Sequence, residues 1–178
     1  MKIEIEAKIS VSSLKPIAQR LRQMGAEFVK RVQETDTYLK DSKGRLFKRG
    51  CGLRLRQQKG SAGKTAYLTF KGPKQKGRYK TRTESETEIS NFNAAIKIFI
   101  GLGYRTAIVV QKTRQIWKWD KCLICLDEVS KLGRFVEVEG PGENQIETVV
   151  DQLGLSDHPH ISKGYACLMA KALGKKSL

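Results

Sequence analysis

The chain opens with charged and apolar side chains in alternation, Lys2-Ile3-Glu4-Ile5-Glu6-Ala7-Lys8. A period of two is typical of a β-strand, because successive side chains of a strand point to opposite faces of the sheet. One face of this strand therefore carries two glutamates and two lysines, and the other face is apolar. Such a strand separates a polar surface from a hydrophobic core, and the rest of the chain repeats the arrangement.

Eight segments of the sequence carry a strand pattern, and four predicted helices lie between or after them. The strands are expected at residues 2–10, 28–39, 53–56, 67–71, 79–89, 106–119, 121–129 and 134–139. The helices are expected within residues 14–24, 91–101, 143–153 and 162–173, where apolar residues recur at helical spacing. No repeat or long linker interrupts the chain. The pattern predicts a single α+β domain over residues 1–178, dominated by antiparallel strands.

Charged residues fall at alternate positions in strand after strand, so that each set shares one face of the sheet. The sets are Glu4/Glu6/Lys8, Arg54/Arg56, Thr69/Lys71, Arg82/Glu84/Glu86, Lys112/Arg114 and Glu137/Glu139. An open sheet with a solvated polar face gives the same alternation. A closed barrel would gather these charges in its interior, with helices covering the apolar face. The carboxylate pairs and the cation pairs are segregated rather than mixed with Ser, Thr and Gln, which favours a binding function.

Segregated pairs of both signs suit the chemistry of a metal-bound polyphosphate. Each phosphoryl oxygen removed from water needs a Lys or Arg donor, and Arg can bind two oxygens at once. A divalent ion such as Mg²⁺ takes one or two carboxylates together with phosphate oxygens and water. Carboxylates gathered on one face repel each other unless a cation lies between them. On this ground Glu137 and Glu139 are expected to bind metal beside Glu4 and Glu6.

The charge balance of the 178 residues implies a polyanionic partner. Lys and Arg number 34 against 18 Asp and Glu, a formal net charge of +16. The partner could be nucleic acid, an anionic membrane surface or a phosphorylated small molecule. Inward-facing cations argue against duplex nucleic acid, which needs an outward basic patch. No apolar run approaches the roughly 18 residues of a membrane span and no signal-peptide pattern opens the chain, so we expect a cytosolic protein with no membrane partner.

Three further motifs indicate no chemistry of their own. Residues 60–65 resemble a P-loop, but Gln58 stands where that motif needs glycine, and a strand follows. Cys122 and Cys125 have CxxC spacing without a second ligand pair for zinc, so reduced thiols are expected. The basic runs at residues 43–49 and 74–80 and the Lys175-Lys176 tail are interpreted as solvated surface.

Several motifs in a fixed order carry a resemblance to a known family. They are Glu4-Ile-Glu6-Ala-Lys8, Leu53-Arg54-Leu55-Arg56, Thr69-Phe70-Lys71-Gly72-Pro73, Arg82-Thr-Glu84, Lys112-Thr-Arg114 and the block that runs from Leu126-Asp127-Glu128-Val129 to Val136-Glu137-Val138-Glu139. With these motifs the chain resembles the CYTH superfamily, the triphosphate tunnel metalloenzymes. Asp36-Thr37-Tyr38 and the block that begins at Leu126 are most similar to the class IV adenylyl cyclase branch.

The resemblance implies an eight-stranded antiparallel β-barrel, with helices packed outside, that binds a triphosphate together with Mg²⁺ or Mn²⁺. The residues that would hold metal are Glu4, Glu6, Glu137 and Glu139, with Glu84 and Asp127 as lesser candidates. The residues that would hold phosphates are Lys8, Arg54, Arg56, Lys71, Arg82, Lys112 and Arg114. The four principal glutamates and Lys8 are the candidate catalytic residues.

Two enzymatic functions and one binding function follow from these expectations. An adenylyl cyclase would convert ATP to cyclic AMP and pyrophosphate. A triphosphatase would hydrolyse thiamine triphosphate, inorganic triphosphate or a nucleotide. A non-catalytic module would bind polyphosphate or an RNA 5′ end without turnover. A homodimer is one assembly compatible with each.

Lys8 has two candidate roles within this tunnel. Nearby carboxylates raise the pKa of a lysine, whereas burial and nearby arginines lower it. Only a lowered pKa would allow Lys8 to accept a proton from the attacking oxygen. We favour simple phosphate binding over the base role, because many cations are expected to face the same tunnel.

Overall fold

Eight antiparallel strands close into a barrel in the computed structural model, which describes residues 2–175. The strands are β1 (Lys2–Val11), β2 (Glu27–Asp41), β3 (Gly52–Gly60), β4 (Gly63–Gln75), β5 (Lys80–Glu88), β6 (Tyr104–Trp119), β7 (Cys122–Val129) and β8 (Gly133–Gly140). Their order around the barrel is β1-β5-β4-β3-β2-β6-β7-β8. The predicted barrel is confirmed, and the open sheet is excluded. The two ends of the expected single domain, residue 1 and residues 176–178 with the tail residue Lys176, lie outside the described residues.

Five helices accompany the barrel in the described part of the chain. They are α1 (Lys15–Gln23), α2 (Arg45–Lys48), α3 (Phe92–Gly101), α4 (Glu143–Gln152) and α5 (Tyr165–Ala172). Helix α2 was not predicted, because a single turn is too short to carry a readable apolar period. The Asp41 carboxylate helps to fix that turn, since its oxygens accept hydrogen bonds from the backbone amides of Lys43 and Leu46. The basic run at residues 43–49, which was interpreted as solvated surface, therefore contains a helical turn that the sequence did not predict.

The hairpin of β3 and β4 extends beyond the segments that the sequence predicted. Its strands pair as far as Gly60 and Gly63, and β4 continues as a strand after Gly63, as expected for a turn rather than a P-loop. Strand β4 also continues to Gln75, beyond the predicted strand end at residue 71, with an irregularity in its pairing to β5 between Lys71 and Lys74. A Cβ atom at Gly72 would overlap the Thr83 hydroxyl oxygen. Glycine therefore allows the two strands to approach closely at that point.

The apolar faces of the strands pack outward against the helices. Ile9, Ile124 and Val138 join Leu21 of α1 and Ile146 of α4 in one cluster, and all five are buried. Two smaller clusters form beneath α5 and beneath α3. Burying each such aliphatic side chain contributes about 1.5–3 kcal/mol, which holds the helices outside. The alternate side chains of the strands, which include the charged sets, therefore point into the barrel.

The four cysteines are free thiols, as the sequence predicted. Among residues 2–175, no helix is long and apolar enough to cross a membrane.

Candidate functional site

The barrel encloses a cavity of about 1050 Å³ that is lined by charged side chains. Eleven Lys and Arg residues and seven Asp and Glu residues contribute to its wall. All of the predicted phosphate-binding residues line it, namely Lys8, Arg54, Arg56, Lys71, Arg82, Lys112 and Arg114. Five of the predicted metal ligands line it as well, namely Glu4, Glu6, Glu84, Glu137 and Glu139. The structure therefore brings together almost the whole predicted site.

Lys8 lies between two of the predicted metal ligands. It stands opposite Glu137 on β8, and its Nζ is 2.9 Å from Glu137 Oε1 and 3.0 Å from Glu6 Oε1. The Tyr165 ring covers the ammonium, with its centroid 4.1 Å from Nζ. Burial lowers the pKa of Lys8, but Glu137 and Glu6 outweigh it and leave the pKa above its ordinary value. Lys8 is therefore an ammonium group near neutral pH, which argues against the base role.

Two carboxylates of β2 hold cations of the neighbouring strands, and the sequence prediction missed both. Asp36 is fully buried, and its oxygens accept hydrogen bonds from Arg56 Nε at 2.6 Å and from Lys112 Nζ at 2.9 Å. Glu34 accepts a hydrogen bond from Arg56 Nη1 at 3.0 Å and pairs with Lys112 at 2.8 Å. Burial raises the pKa of Glu34, but Lys112 and Arg56 outweigh it and bring the pKa to about 2. The sequence signal that could have identified them is that Glu34, Asp36 and Tyr38 occupy alternate positions of β2 and so share one face.

Asp127 lies outside the cavity lining and positions Arg114 from behind. Its Oδ1 accepts a hydrogen bond from Arg114 Nε at 2.6 Å, and its Oδ2 accepts one from the Tyr165 hydroxyl at 2.7 Å. Arg114 Nη2 also donates to Asp127 and to Glu137. Both oxygens of Asp127 are thus occupied, and the residue does not belong to the cavity wall.

Glu4 and Glu84 form a buried carboxyl pair beside Lys71. Burial and a hydrogen bond to Glu84 raise the pKa of Glu4 to about 8. Burial also raises the pKa of Glu84, but the hydrogen bond with Glu4 and the charge of Lys71 outweigh it and bring the pKa to about 2. Burial and Arg54 lower the pKa of Lys71 to about 8. Glu4 is therefore the carboxyl of this pair that keeps a proton near neutral pH, while Glu84 is ionised and pairs with Lys71.

The carboxylates of the cavity fit a hard divalent cation. Glu4 Oε2 is buried without a hydrogen-bond partner, and Glu6 stands opposite Glu139 on β8. Carboxylate oxygens are the ligands that Mg²⁺ and Mn²⁺ prefer. In the described part of the chain, no three acidic, histidine or cysteine side chains converge as a ready-made metal site. A metal ion held here would therefore take part of its ligand set from substrate phosphates, as Mg²⁺ commonly does.

Arg82 is the predicted phosphate ligand with the fewest protein partners. It is 9% exposed, its Nε lacks a hydrogen-bond partner, and no carboxylate within residues 2–175 forms an ion pair with it. Several lining residues were not assigned to the site from the sequence, namely Lys2, Asp36, Tyr38, Lys74, Lys80, Glu86 and Tyr165. Lys80 pairs with Glu6 at 2.7 Å and Lys2 pairs with Glu139 at 2.8 Å. The sequence signal for Lys2 and Lys80 was their position in step with the charged sets of β1 and β5.

Comparison with known proteins agrees with this geometry. The sequence-family model of the CYTH domain matches residues 2–165. A Methanocaldococcus jannaschii protein named "Putative adenylate cyclase" is 29% identical over 137 residues, which are 77% of this chain and 76% of that protein. The solved structure of a Pyrococcus horikoshii protein is 26% identical with a TM-score of 0.83, covering 94% of this chain and 98% of that one. A Vibrio parahaemolyticus structure, described as a putative adenylate cyclase, has 22% identity and a TM-score of 0.81, covering 97% and 98%.

Proposed function

The chain belongs to the CYTH domain family, and on that premise we propose that it is a metal-dependent adenylyl cyclase that holds the triphosphate of ATP inside the barrel. The observation that carries the proposal is the meeting of seven predicted cations and five glutamates around one cavity. The Methanocaldococcus jannaschii relative, named for the same activity, supports the choice of reaction.

Donors remain for phosphate even where the cations are already paired. A guanidinium carries five N–H groups. Arg56 uses Nε, Nη1 and Nη2 once each on Asp36 and Glu34. Arg114 uses Nε and Nη2 on Asp127 and Glu137. Both arginines therefore keep two N–H groups for phosphate oxygens, and Arg82 adds a guanidinium with no carboxylate partner among the described residues.

The glutamates that line the cavity would hold the metal ion. Glu4, Glu6 and Glu84 lie on the β1–β5 side, and Glu137 and Glu139 lie on β8. A bound Mg²⁺ or Mn²⁺ supplies positive charge that neutralises the phosphate oxygens. Asp127 is assigned the positioning of Arg114, because it lies outside the cavity wall and bonds Arg114 from behind.

In the cyclase reaction the ribose 3′-oxygen bonds to the α-phosphorus and the bond from that phosphorus to the departing pyrophosphate breaks. The proton of the 3′-hydroxyl passes to water, and the pyrophosphate leaves with added negative charge. The chain contributes position and electrostatic stabilisation, because its cations are fixed before the substrate enters. Asp36 and Asp127 hold Arg56 and Arg114 in place for this purpose. Lys8 keeps its proton, so its role is to hold Glu6 and Glu137 together and to add charge beside the phosphates.

The test is product analysis with purified protein, ATP, and Mg²⁺ or Mn²⁺. Cyclic AMP and pyrophosphate are the expected products. The Arg82→Gln substitution is expected to abolish their formation and to leave the fold intact. Lys97→Gln is the matched control, because Lys97 is an exposed cation on α3. Binding of ATP without any product would overturn the enzymatic assignment and favour a non-catalytic module.

A triphosphatase is the second candidate, favoured by the chemistry of the cavity wall. Among the described residues that line the cavity, Ser85 is the one neutral polar side chain besides the two tyrosines Tyr38 and Tyr165, and no Asn, Gln or Thr is present. Recognition of an adenine edge depends on a few well-placed polar groups. Inorganic triphosphate and thiamine triphosphate should therefore be tested beside ATP, and release of inorganic phosphate without cyclic AMP would favour hydrolysis.

A further inference from the structure

A second cavity of about 970 Å³ adjoins the tunnel at one end of the barrel. We call it the basic cleft, and its charged lining residues are Lys40, Asp41, Lys43, Lys48, Lys74, Arg105, Lys163, Lys171 and Lys175. Phe47, Lys74 and Cys167 line both the basic cleft and the tunnel. The two cavities are therefore neighbours that meet at these three residues.

The cations of the basic cleft differ from those of the tunnel in their pairing. In the tunnel, Lys8, Arg56, Lys112 and Arg114 each contact at least two carboxylate groups. Within residues 2–175, none of the eight cations lining the cleft forms an ion pair. The one carboxylate there, Asp41, accepts backbone amides of the α2 turn and pairs with Arg45, which lies outside the lining.

Unpaired like charges around a concave surface repel each other and concentrate anions from solution. Two of the lysines are also held by the fold: Lys74 Nζ donates to Ser162 O at 2.6 Å, and Lys175 Nζ donates to Ala107 O at 3.1 Å. Lys40 and Arg105 are direct partners in the pairing of β2 with β6. The barrel rim and α5 therefore gather these cations around one concave surface, and those of the runs at residues 43–49 and 74–80 that line it are solvent-exposed, as expected.

The lining also indicates which polyanion the basic cleft would take. Single-stranded nucleic acid is bound largely by stacking its bases on aromatic side chains, and Phe47 is the one aromatic residue of the described lining. Seven of the eight cations are lysines, which bind phosphate as point charges and recognise no base. The ligand chemistry is therefore a chain of phosphates without bases.

We propose that the basic cleft binds the distal phosphates of an inorganic polyphosphate chain whose terminal triphosphate lies in the tunnel. The inference rests on the proposed function only in placing a triphosphate in the tunnel. Under this proposal the protein distinguishes polyphosphates by chain length. A tripolyphosphate contacts only the tunnel, whereas a longer chain contacts both cavities.

The test compares binding of tripolyphosphate and of long-chain polyphosphate to the full chain. A triple variant with Lys43→Gln, Arg105→Gln and Lys171→Gln removes three exposed cleft cations that form no ion pair. We expect its affinity for the long chain to fall about tenfold or more at low salt, with a shallower salt dependence. Its affinity for tripolyphosphate should stay within about twofold, since the tunnel is unchanged.

A matched triple variant has Lys64→Gln, Lys97→Gln and Lys121→Gln, which remove the same charge from exposed sites elsewhere. Equal losses in the two triple variants, or no loss in the cleft variant, would overturn the proposal. So would a single-stranded RNA that binds the cleft as tightly as polyphosphate of equal phosphate number, an outcome that favours nucleic acid. If Arg82→Gln leaves tripolyphosphate binding unchanged while long-chain binding still requires the cleft, the proposed function fails and the cleft assignment stands.

Discussion

Lys8 and Glu137 face each other across β1 and β8, with Nζ 2.9 Å from Oε1. The lysine is 2% exposed, and Glu6 completes the pairing from the other side. Because both carboxylates are predicted metal ligands, this ammonium occupies the centre of the candidate site. Its removal therefore affects the fold and the site together.

We predict that Lys8→Met lowers the free energy of unfolding by about 3–5 kcal/mol, the usual penalty for removing one partner of a buried ion pair. Denaturant titration measures the change. Lys2→Met is the control: Lys2 pairs with Glu139, but its side chain is 75% exposed, so a loss below about 1 kcal/mol is expected. Lys8→Arg keeps the charge and should retain metal-dependent turnover. Complete loss of turnover with intact substrate binding would instead support the base role.

Arg82→Gln should weaken triphosphate binding by roughly 1.5–3 kcal/mol, the range for losing a hydrogen bond to a charged group. Its stability should stay nearly unchanged, because no ion pair is broken. Arg56→Ala removes the same kind of donor but also leaves the buried carboxylates Asp36 and Glu34 with Lys112 as their main remaining cation, so binding and stability should fall together. Calorimetric titration and thermal unfolding of both variants separate these effects. Equal stability losses would contradict the unpaired state of Arg82.

Glu34 should make the free energy of unfolding depend on pH in the acidic range. Its folded pKa of about 2 lies below its ordinary value of 4.5. The stabilisation is therefore fully present above about pH 4.5 and is lost as the pH falls toward 2. It is on the order of 3 kcal/mol from the size of the shift. Unfolding titrations of the wild type and Glu34→Gln should differ most at neutral pH and converge near pH 2. A difference that is constant with pH would contradict the ion pairs to Lys112 and Arg56.

Glu4→Gln should raise the metal concentration needed for half-maximal turnover by at least about tenfold, the order found when groups that support a metal site are removed. Its fold should survive, because Glu4 Oε2 has no hydrogen-bond partner and Lys71 lies 3.9 Å away. Metal titration after chelator treatment measures the shift. Glu88→Gln, on the same barrel but exposed, is the control. Glu137→Gln is less informative, since it also breaks the ion pairs with Lys8 and Arg114.

The alternation of side chains was enough to predict which residues share the charged face, whereas closure of the sheet into a barrel was implied by the family resemblance. Side-chain parity places Glu4, Arg54 and Lys112 on the charged face, and that face is the cavity wall. Parity does not state which cation meets which carboxylate, because that depends on how the strands are staggered around a closed barrel. For this reason the ties of Arg56 to Asp36 and of Arg114 to Asp127 became visible only in the structure. The cytosolic location and the homodimer stay predictions.

Strand β1 is paired on both sides, with β5 and with β8, and Lys2 contacts Glu139 across a sequence separation of 137 residues. The second edge of β1, the first barrel strand in chain order, therefore stays unpaired until β8, the last strand of the barrel, is added. Closing so long a loop carries an entropic penalty before any contact compensates it, so barrel closure should be a late and slow step of folding. Glu4 and Glu6 meet Glu137 and Glu139 only in that step. A partly folded chain consequently lacks the assembled candidate site, so binding of the proposed triphosphate ligand should report completed closure.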